Sequence, residues 1–531
     1  MLMKQHVARM CRALVCAMAV TALAGCATQE IASSHIPTQW QQGQGVVALK
    51  VITPLRRTVD GLTVKNLATG EVRTLVPTIK LGGQGVRLMA SLDAGQYQLV
   101  AMNARAVIDA GNVQVARNLS VPLDAPANRF EVKSAQLTDL GSLAIVPKSA
   151  AVTDLMATQS WAVMRDDEPI GARDWLGQVS PALVEALPAS RDLGWSVPVP
   201  DAATQRKQLL PLLRAQALVA SDPVADASGR YWAGADLGVV MRWDASSGRP
   251  DRFTVDSFQP FNCVAPLSDG RVLAAGDEGY VVVLDPASGA SKPVPAPVNK
   301  ASTALWMGQA PDGLVYLANR TPDGVVVLSA SPKTLQWQVI RRMGRGFDAN
   351  GAVAARTQDW VNFASLGQSR PMAAATRSHL VVYTAEPHAM HVLDFQSHTW
   401  EVLPGGLNAV ALERGGDDAL VARDAVPNSH VSFDHGRHWQ KIDSFMSQLT
   451  PVFVDEKVGF VVARPAVTWT AQPPALYKTV DGGLSWQPAG EVPTPSDWDA
   501  VLLWDSAHRR LGYLSSAGRL WWRAGDGQPW R

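Results

Sequence analysis

Histidines are the side chains of this sequence most suited to metal chemistry, and seven of the ten lie within residues 379–438. Imidazole nitrogens are good ligands for Zn²⁺ and Cu²⁺. The repeats described below divide these histidines between turns at opposite ends of each repeat. The one trio expected at the same end, in turns between second and third strands, is His388, His391 and His430. No cysteine or carboxylate with ligand spacing accompanies the trio, so the sequence favours solvated turn histidines and predicts no bound metal.

Motifs for phosphate, hydrolytic or redox chemistry are absent from the sequence. It contains no G-x-x-x-x-G-K-[ST], no H-E-x-x-H, no C-x-x-C and no G-x-S-x-G. Acidic turns such as G-D-E-G at 276–279 lack the ligand number of a Ca²⁺ loop and are typical of hairpin turns. The sequence therefore predicts no cofactor and identifies no catalytic group.

Two short stretches share the pattern Ser/Thr-x-Asp-x-Gly-x-x-Trp. In such a turn the Asp side chain can accept backbone N–H groups, and the Gly supplies a positive φ. The motif residues are Ser432, Asp434, Gly436 and Trp439 in the first stretch, and Thr479, Asp481, Gly483 and Trp486 in the second. The pattern resembles the Asp-box (BNR) repeat of sialidases, sortilin-type receptors and photosystem assembly factors. The resemblance implies a β-propeller and names no reaction.

The resemblance to sialidases raises the question of glycosidase activity. Those enzymes carry an Arg-Ile-Pro segment, an arginine triad and a tyrosine nucleophile activated by a glutamate. No R-I-P occurs here, and the nearest string is A-R-P-A at 463–466. Six of the seven tyrosines are expected in repeat strands and the seventh, Tyr97, in the N-terminal region, which favours packing. A glycan-binding or glycan-hydrolysing protein is therefore kept as the alternative function.

The C-terminal part of the chain repeats. W-A-G-A-D-L-G-V-V-M-R-W-D-A-S-S-G at 232–248 aligns with L-A-A-G-D-E-G-Y-V-V-V-L-D-P-A-S-G at 273–289. Corresponding anchors lie 41, 44, 65, 40, 47 and 45 residues apart: Asp244, Asp285, Ser329, Asp394, Asp434, Asp481 and Asp526. One four-stranded propeller blade has a period of about 40–50 residues. Seven copies predict a seven-bladed β-propeller over residues 220–531; the alternative all-β repeat, a solenoid, has shorter periods.

Tryptophans follow several anchors at similar offsets: Trp337, Trp400, Trp439 and Trp486. We expect each to open a fourth strand and to fill the wedge between neighbouring blades.

One interval between anchors is 65 residues long, and its excess lies at 341–376. Inserted loops on a repeat scaffold often carry binding sites. This insertion is rich in residue types favoured at interface hot spots. The candidate partner-binding residues are Arg341, Arg342, Arg345, Phe347, Arg356, Trp360 and Arg370. A solvated insertion with a few anchoring aromatics is the alternative interpretation.

The N-terminus has the features of a targeting segment. Lys4, Arg9 and Arg12 precede an apolar run at 13–24, which is shorter than the roughly 20 residues of a membrane-spanning helix. The run ends in Leu-Ala-Gly-Cys, which resembles a bacterial lipobox. That resemblance implies a signal peptide at 1–25 and a lipid on Cys26, with Ala27 typical of outer-membrane sorting. Residues 26–45 are polar and predict a flexible tether.

Cysteine usage and charge limit the remaining possibilities. Cys263 is the one cysteine left for the body of the mature protein, and it is expected to be a small buried apolar side chain. Without the three basic residues of the signal, the 48 basic side chains fall to 45 against 47 acidic ones, a net charge of −2. A near-neutral charge gives no support for nucleic acid as a partner.

The region before the repeats divides into two parts. Short alternating segments over 46–147 predict a small antiparallel β-sandwich. Within it L-D-A-G-Q-Y-Q-L at 92–99 resembles the signature of transthyretin-like and carboxypeptidase-regulatory-like sandwiches, in which the Tyr packs into the sandwich. Residues 148–219 predict a helical connector, with Pro211 expected to kink or end its second helix.

These observations predict a mainly β protein of the bacterial cell envelope, anchored to the membrane by its N-terminal lipid. The leading functional hypothesis is a non-catalytic protein-binding or assembly module that uses the propeller. It follows from a display scaffold combined with the absence of a catalytic constellation.

Overall fold

The chain is described by a computed structural model, which covers residues 42–53, 59–79, 85–109, 114–147, 161–166, 171–179, 181–185, 194–198, 202–215, 217–244, 248–298, 302–321, 323–344, 372–385, 388–404, 407, 409–424, 428–443, 446–447, 449–464, 473–495, 497, 500–525 and 527–531. These residues are mainly β-strand, which confirms the predicted fold class at that level.

The N-terminal strands form one strongly bent sheet. They are β1 (Gln44–Ile52), β2 (Val59–Asn66), β3 (Val72–Ile79), β4 (Gly85–Asp93), β5 (Gly95–Asp109), β6 (Gln114–Pro122), β7 (Arg129–Val132), β8 (Leu137–Pro147) and β9 (Trp161–Asp166). Their order is β6-β5-β2-β3-β4-β1-β8-β9, with β7 on β5. The first half of β3 pairs with β2 and the second half with β4, so this strand joins the two halves of the sheet.

One apolar core lies between the two halves of this sheet. Leu49 of β1 and Leu62 of β2 are fully buried in the same cluster. Tyr97 is 3% exposed and stacks on Phe130 with ring centroids 5.6 Å apart. Strands with one buried face pack in this way because alternate side chains point to the same side. The tyrosine of the L-D-A-G-Q-Y-Q-L stretch therefore packs inward, as the sequence predicts.

The sheet extends beyond the end expected at residue 147. Strand β9 pairs antiparallel with β8, with Trp161 opposite Pro147 and Asp166 opposite Ser142. This strand lies in the segment that the sequence predicts as helical connector. Six residues with no clear alternation carry little strand signal of their own, and pairing with β8 supplies the missing determinant.

The α-helices in the described part of the chain are α1 (Ala172–Val179), α2 (Pro181–Glu185) and α3 (Ala202–Ala215). Helix α3 continues through Pro211 rather than ending there. The proline lies on the exposed face of α3, while Leu210 and Leu213 are buried. These two leucines pack in one cluster with Val146 of the N-terminal sheet and Phe258 of the repeats. Helix α3 therefore bridges the two regions.

Seven small antiparallel sheets follow in the described part of the chain, and we number them repeat sheets 1 to 7. Sheet 1 has β10 (Val224–Ala225), β11 (Tyr231–Gly234), β12 (Val239–Trp243) and β13 (Asp251–Thr254); sheet 2 has β14 (Phe261–Pro266), β15 (Val272–Gly276), β16 (Val281–Leu284) and β17 (Ser291–Pro293); sheet 3 has β18 (Thr303–Gln309), β19 (Val315–Thr321), β20 (Gly324–Ala330) and β21 (Gln338–Met343).

Sheet 4 has β22 (Met372–Ala375), β23 (His379–Ala385), β24 (His388–Asp394) and β25 (Trp400–Pro404); sheet 5 has β26 (Ala409–Arg414), β27 (Leu420–Asp424), β28 (Ser429–Ser432) and β29 (Gln440–Ile442); sheet 6 has β30 (Met446–Ser447), β31 (Val452–Phe453), β32 (Gly459–Arg464), β33 (Ala475–Thr479) and β34 (Gln487–Gly490); sheet 7 has β35 (Val501–Asp505), β36 (Arg510–Leu514) and β37 (Leu520–Arg523). The anchor Asp526 lies outside the described residues.

Apolar clusters join each repeat sheet to the next one and the last to the first. The pairs that represent them are Trp232 with Phe261, Leu273 with Leu317, Val327 with Leu380, Tyr383 with Leu420, Val421 with Phe453, Leu476 with Tyr513, and Leu514 with Trp243. The closing contact between sheets 7 and 1 includes a hydrogen bond from Trp243 Nε1 to the carbonyl of Gly518 (2.9 Å). The sheets therefore form a closed series, which is typical of propeller architecture.

A buried ionic cluster joins the N-terminal sheet to repeat sheet 2. Lys50 Nζ and Arg87 Nη2 contact Glu278 Oε1 at 2.7 and 2.6 Å, and Lys50 also donates to Gln259 Oε1 (2.7 Å). The side chains of Lys50, Arg87 and Glu278 are 2%, 6% and 9% exposed. Burial opposes ionisation of Glu278, but the two cations hold its pKa at about 2. The carboxylate is thus charged at neutral pH.

Candidate functional site

The first Asp-box-like turn is built from its own side chains. Ser432 Oγ donates to Asp434 Oδ1 (2.8 Å) and accepts the backbone N–H of Gly436 (2.8 Å). Asp434 Oδ1 also accepts the backbone N–H of His438 (2.8 Å). Trp439 Nε1 donates to the carbonyl of Gly436 (3.0 Å). Partial burial acts to raise the pKa of Asp434. The hydrogen bonds from His438 and Ser432 outweigh burial, so the pKa of Asp434 is lowered.

The second turn repeats the hydroxyl and carboxylate bonds of the first, but not the bond from the tryptophan. Thr479 Oγ1 donates to Asp481 Oδ1 (2.7 Å) and accepts the N–H of Gly483 (2.8 Å). Asp481 accepts both the hydroxyl (2.5 Å) and the N–H (2.9 Å) of Ser485, and these bonds lower its pKa to about 2. Gly483 has a φ of 91°, and a Cβ there would lie 2.6 Å from Ile442 Cγ2. In both turns the motif side chains are used for architecture.

The tryptophans that follow the anchors open fourth strands, as predicted. Trp400 is the first residue of β25, and the other three directly precede β21, β29 and β34. Trp337 and Trp486 are 9% and 8% exposed, in the clusters between sheets 2 and 3 and between sheets 5 and 6. Their rings fill the space between neighbouring sheets, which confirms the expected role.

The predicted histidine trio is not brought together. His388, His391 and His430 lie in third strands rather than in turns, because β24 and β28 start earlier than the sequence indicates. His388 Nδ1 bonds the Tyr383 hydroxyl (2.8 Å), and His430 Nε2 bonds Asp424 Oδ2 (3.3 Å). No group of three metal-ligating side chains occurs among the residues that the structure covers.

A pair of histidines that the sequence does not connect meets between sheets 4 and 5. His379 and His435 stack with ring centroids 3.8 Å apart. Thr376 Oγ1 lies 3.2 Å from His435 Nδ1, and Asp394 Oδ2 lies 3.7 Å from His379 Nε2. Burial lowers the pKa of both rings, and the charge of Arg437 adds to the effect. No sequence pattern joins the two residues, since they lie in different repeats.

The tyrosines are packing residues in the structure. Tyr231, Tyr316, Tyr383, Tyr477 and Tyr513 lie in second or third strands of repeat sheets, whereas Tyr280 directly precedes β16. Tyr316 donates a hydrogen bond to Asp312 Oδ2 (2.5 Å). Burial and this bond to the carboxylate both raise the pKa of Tyr316. A tyrosine nucleophile requires the opposite shift, because it must lose its proton to react.

Cys263 lies in β14 and is 7% exposed. Burial raises the pKa of its thiol, which keeps the group protonated. The expectation of a small buried apolar side chain is met.

Of the candidate partner-binding residues, Arg341 and Arg342 are described. Both lie in β21, the outermost strand of sheet 3. Arg341 Cζ lies 5.7 Å from the ring centroid of Trp400 in β25. Burial and, secondarily, the charge of Arg341 lower the pKa of His391 to about 4. The other candidates lie outside the described residues: Arg345, Phe347, Arg356, Trp360 and Arg370.

Cys26 and the rest of the targeting segment also lie outside the described residues. Within the residues that are described, no helix is long and apolar enough to span a membrane.

No family model and no curated protein sequence matches the chain. Among solved structures, it is similar to YCF48 bound to D1 peptide (13% identity, TM-score 0.41, covering 58% of this chain and 94% of that one). It is similar to the β-propeller domain of Cps50 (Swd1) from Myceliophteria thermophila (12% identity, TM-score 0.39, covering 58% of this chain and 97% of that one). It is also similar to virginiamycin B lyase from Staphylococcus aureus (10% identity, TM-score 0.39, covering 57% of this chain and 93% of that one). At this level of similarity the three structures say nothing about what the chain binds.

Proposed function

We propose that this chain is a lipid-anchored protein of the bacterial cell envelope that binds a protein partner through a seven-bladed β-propeller and catalyses no reaction. The closed series of repeat sheets supports the propeller, with each sheet as one blade over residues 220–531. The bent N-terminal sheet supports a small β-sandwich over 46–147. A fixed core with variable outer strands and loops suits the display of a binding surface.

The anchoring part of the proposal rests on the sequence. A basic n-region, an apolar run and Leu-Ala-Gly-Cys support cleavage after residue 25 and a lipid on Cys26. The predicted tether is shorter than 26–45, because β1 begins at Gln44. It would hold the body away from the bilayer, and Ala27 supports the outer membrane.

The binding part rests on exposed side chains of two outermost strands, β21 and β25. We call the side chains of Ile340, Arg341, Arg342, Trp400 and Val402 the rim surface. Ile340 and Val402 are 37% and 52% exposed, and Arg341 lies against Trp400. Apolar, aromatic and arginine side chains together have the composition of an interface hot spot. The other five candidates of the insertion lie outside the described residues and remain predictions from the sequence.

Crosslinking in intact cells, followed by mass spectrometry, tests the proposal. A protein that crosslinks through the rim surface, and no longer does so when the rim surface is altered, supports it. Unaltered crosslinking would mean that the partner uses another surface.

A further inference from the structure

Two cavities lie along the first strands of the repeat sheets. The larger, of about 700 Å³, is lined by parts of β14, β18, β22 and β26. The smaller, of about 450 Å³, is lined by parts of β26 and β35. Residues 221–223, residues 225–227, Glu413 and Arg414 line both, so the two cavities adjoin along this wall.

Most charged groups on this shared wall are already paired. Glu413 Oε1 accepts from Arg423 Nη2 (2.9 Å), and Arg414 donates to the carbonyl of Gly416 and to Asp417 Oδ1 (both 2.7 Å). The carboxylate of Asp222 differs, since no side chain in the described part of the protein donates a hydrogen bond to it.

Asp222 lies in the wall that the two cavities share. The residue is exposed to the cavity space. The neighbouring Glu413 carboxylate adds to the negative charge at this position, and Arg414 partly offsets it. At neutral pH an unpaired negative charge therefore lines the cavity, and a cation would stabilise it.

The opposite part of the larger cavity is apolar and rigid. Leu305, Trp306 and Ala373 line it and are only partly buried. Trp306 stacks on Phe395 with ring centroids 6.3 Å apart, and the missing Cβ of Gly308 leaves room for the indole. This fixed aromatic wall suits an apolar group of a ligand.

An arginine connects the linings of the two cavities. Arg377 Nη2 pairs with the carboxylate of Asp417 and donates to Ser506 Oγ (3.1 Å). Arg377 lines the larger cavity, whereas Asp417 and Ser506 line the smaller one. The Arg377 side chain is 59% exposed, so solvent weakens the pair and a ligand can displace it.

We propose that the larger cavity binds a ligand with an ammonium group on an apolar chain, with Asp222 as counter-ion and Trp306 as apolar wall. The source is either a small amine or a lysine side chain of a peptide that also carries apolar residues. Ammonium groups provide donors only, which fits a carboxylate that lacks a donor. This site is separate from the rim surface and does not depend on the proposed partner.

Isothermal titration calorimetry with two probes tests the site: phenethylammonium, and the peptide acetyl-Leu-Lys-Leu-amide. If the amine binds at least as tightly as the peptide, the natural ligand is a small amine. If the peptide binds more tightly than the amine, the natural ligand is a protein segment. Either outcome supports the proposal. Asp222→Asn should weaken binding roughly tenfold to hundredfold, the range for a hydrogen bond to a charged group. Its melting temperature should match that of the wild type, because the Asp222 side chain is exposed and the substitution removes no hydrogen bond to it within the described residues.

Asp443→Asn is the matched control, since Asp443 is exposed at the end of β29 and lines neither cavity. It should bind both probes as the wild type does.

Ala373→Phe should abolish binding by filling the apolar part of the larger cavity. Failure of both probes to bind the wild type, equal affinity of Asp222→Asn and wild type, or tighter binding of phenylpropionate than of phenethylammonium would overturn the proposal.

Discussion

At the scale of single residues, His379 and His435 make repeat sheets 4 and 5 sensitive to pH. Their rings stack at 3.8 Å, and burial keeps both neutral. A histidine whose pKa is lowered by folding binds fewer protons in the native than in the unfolded state. The free energy of unfolding therefore has its full value above pH 6.5, which is about the pKa of histidine in the unfolded chain. It decreases as the pH falls below that value.

We expect the free energy of unfolding to decrease between pH 7 and pH 5.5, and to decrease less in His435→Asn. Asparagine tolerates the φ of 62° at this position and removes the imidazole. His438→Asn is the control, because His438 is 90% exposed. Urea denaturation at several pH values measures the difference. The stacked pair plays no part in the pH response if His435→Asn and His438→Asn follow the same curve as the wild type.

Sequence reasoning works at this scale where the chemistry is local. The bonds of Asp434 and Asp481 within their turns follow from residues at most four positions away. His379 and His435, in contrast, are brought together by the packing of two sheets. The predicted placement of His391 in a turn is wrong because a strand boundary, which depends on pairing with β23 and β25, decides it.

At the scale of elements, the buried cluster around Glu278 joins the N-terminal sheet to repeat sheet 2. Glu278→Gln would remove the buried carboxylate that contacts both Lys50 and Arg87. Removing one partner of a buried ion pair costs about 3–5 kcal/mol. We therefore expect this variant to lower the free energy of unfolding by about 3 kcal/mol or more.

Glu71→Gln provides the control, since Glu71 and Arg73 are 44% and 60% exposed. Loss of that surface pair should change stability by about 1 kcal/mol at most. Thermal and urea denaturation compare the two variants. Equal effects of the two substitutions would show that the Glu278 cluster does not stabilise the junction.

The elements themselves are predictable to different degrees. The repeat strands have alternating apolar residues and turn residues, so their existence follows from the sequence. Strand β9 and the buried Lys50 do not, because each depends on a partner that is distant in sequence. The position of Pro211 inside α3 is the opposite case: local propensity predicts a break, and burial of Leu210 and Leu213 outweighs it.

At the scale of the whole molecule, the repeat period is the feature that sequence predicts best. A near-constant spacing of anchors leads directly to the successive repeat sheets, five of which are four-stranded in the described part of the chain. The central cavities and the contact of helix α3 with two regions have no sequence signature, since they arise only when the series of sheets closes.

Membrane attachment belongs to this scale. We expect Cys26→Ser to abolish labelling of the protein by radioactive palmitate and to move it out of the membrane fraction, because the thiol is the acceptor of the lipid. Fractionation of cells that express the wild type and the variant measures this. A membrane-bound, palmitate-labelled variant would contradict the assignment of Cys26.

The rim surface is the proposed binding site for the protein partner, and one substitution can reverse part of its charge. Arg342→Glu reverses a charge on the exposed side of β21. Lys292→Glu is the matched control, because Lys292 is an exposed cation on β17, the outermost strand of the neighbouring sheet 2. Neither position is buried, so both variants should fold with wild-type melting temperatures.

Crosslinking in intact cells with quantitative mass spectrometry is the most direct measurement. We predict a protein that is recovered with the wild type and with Lys292→Glu, and whose recovery with Arg342→Glu falls at least tenfold, as expected for a hot-spot arginine. Equal recovery of that protein with all three forms would contradict the claim.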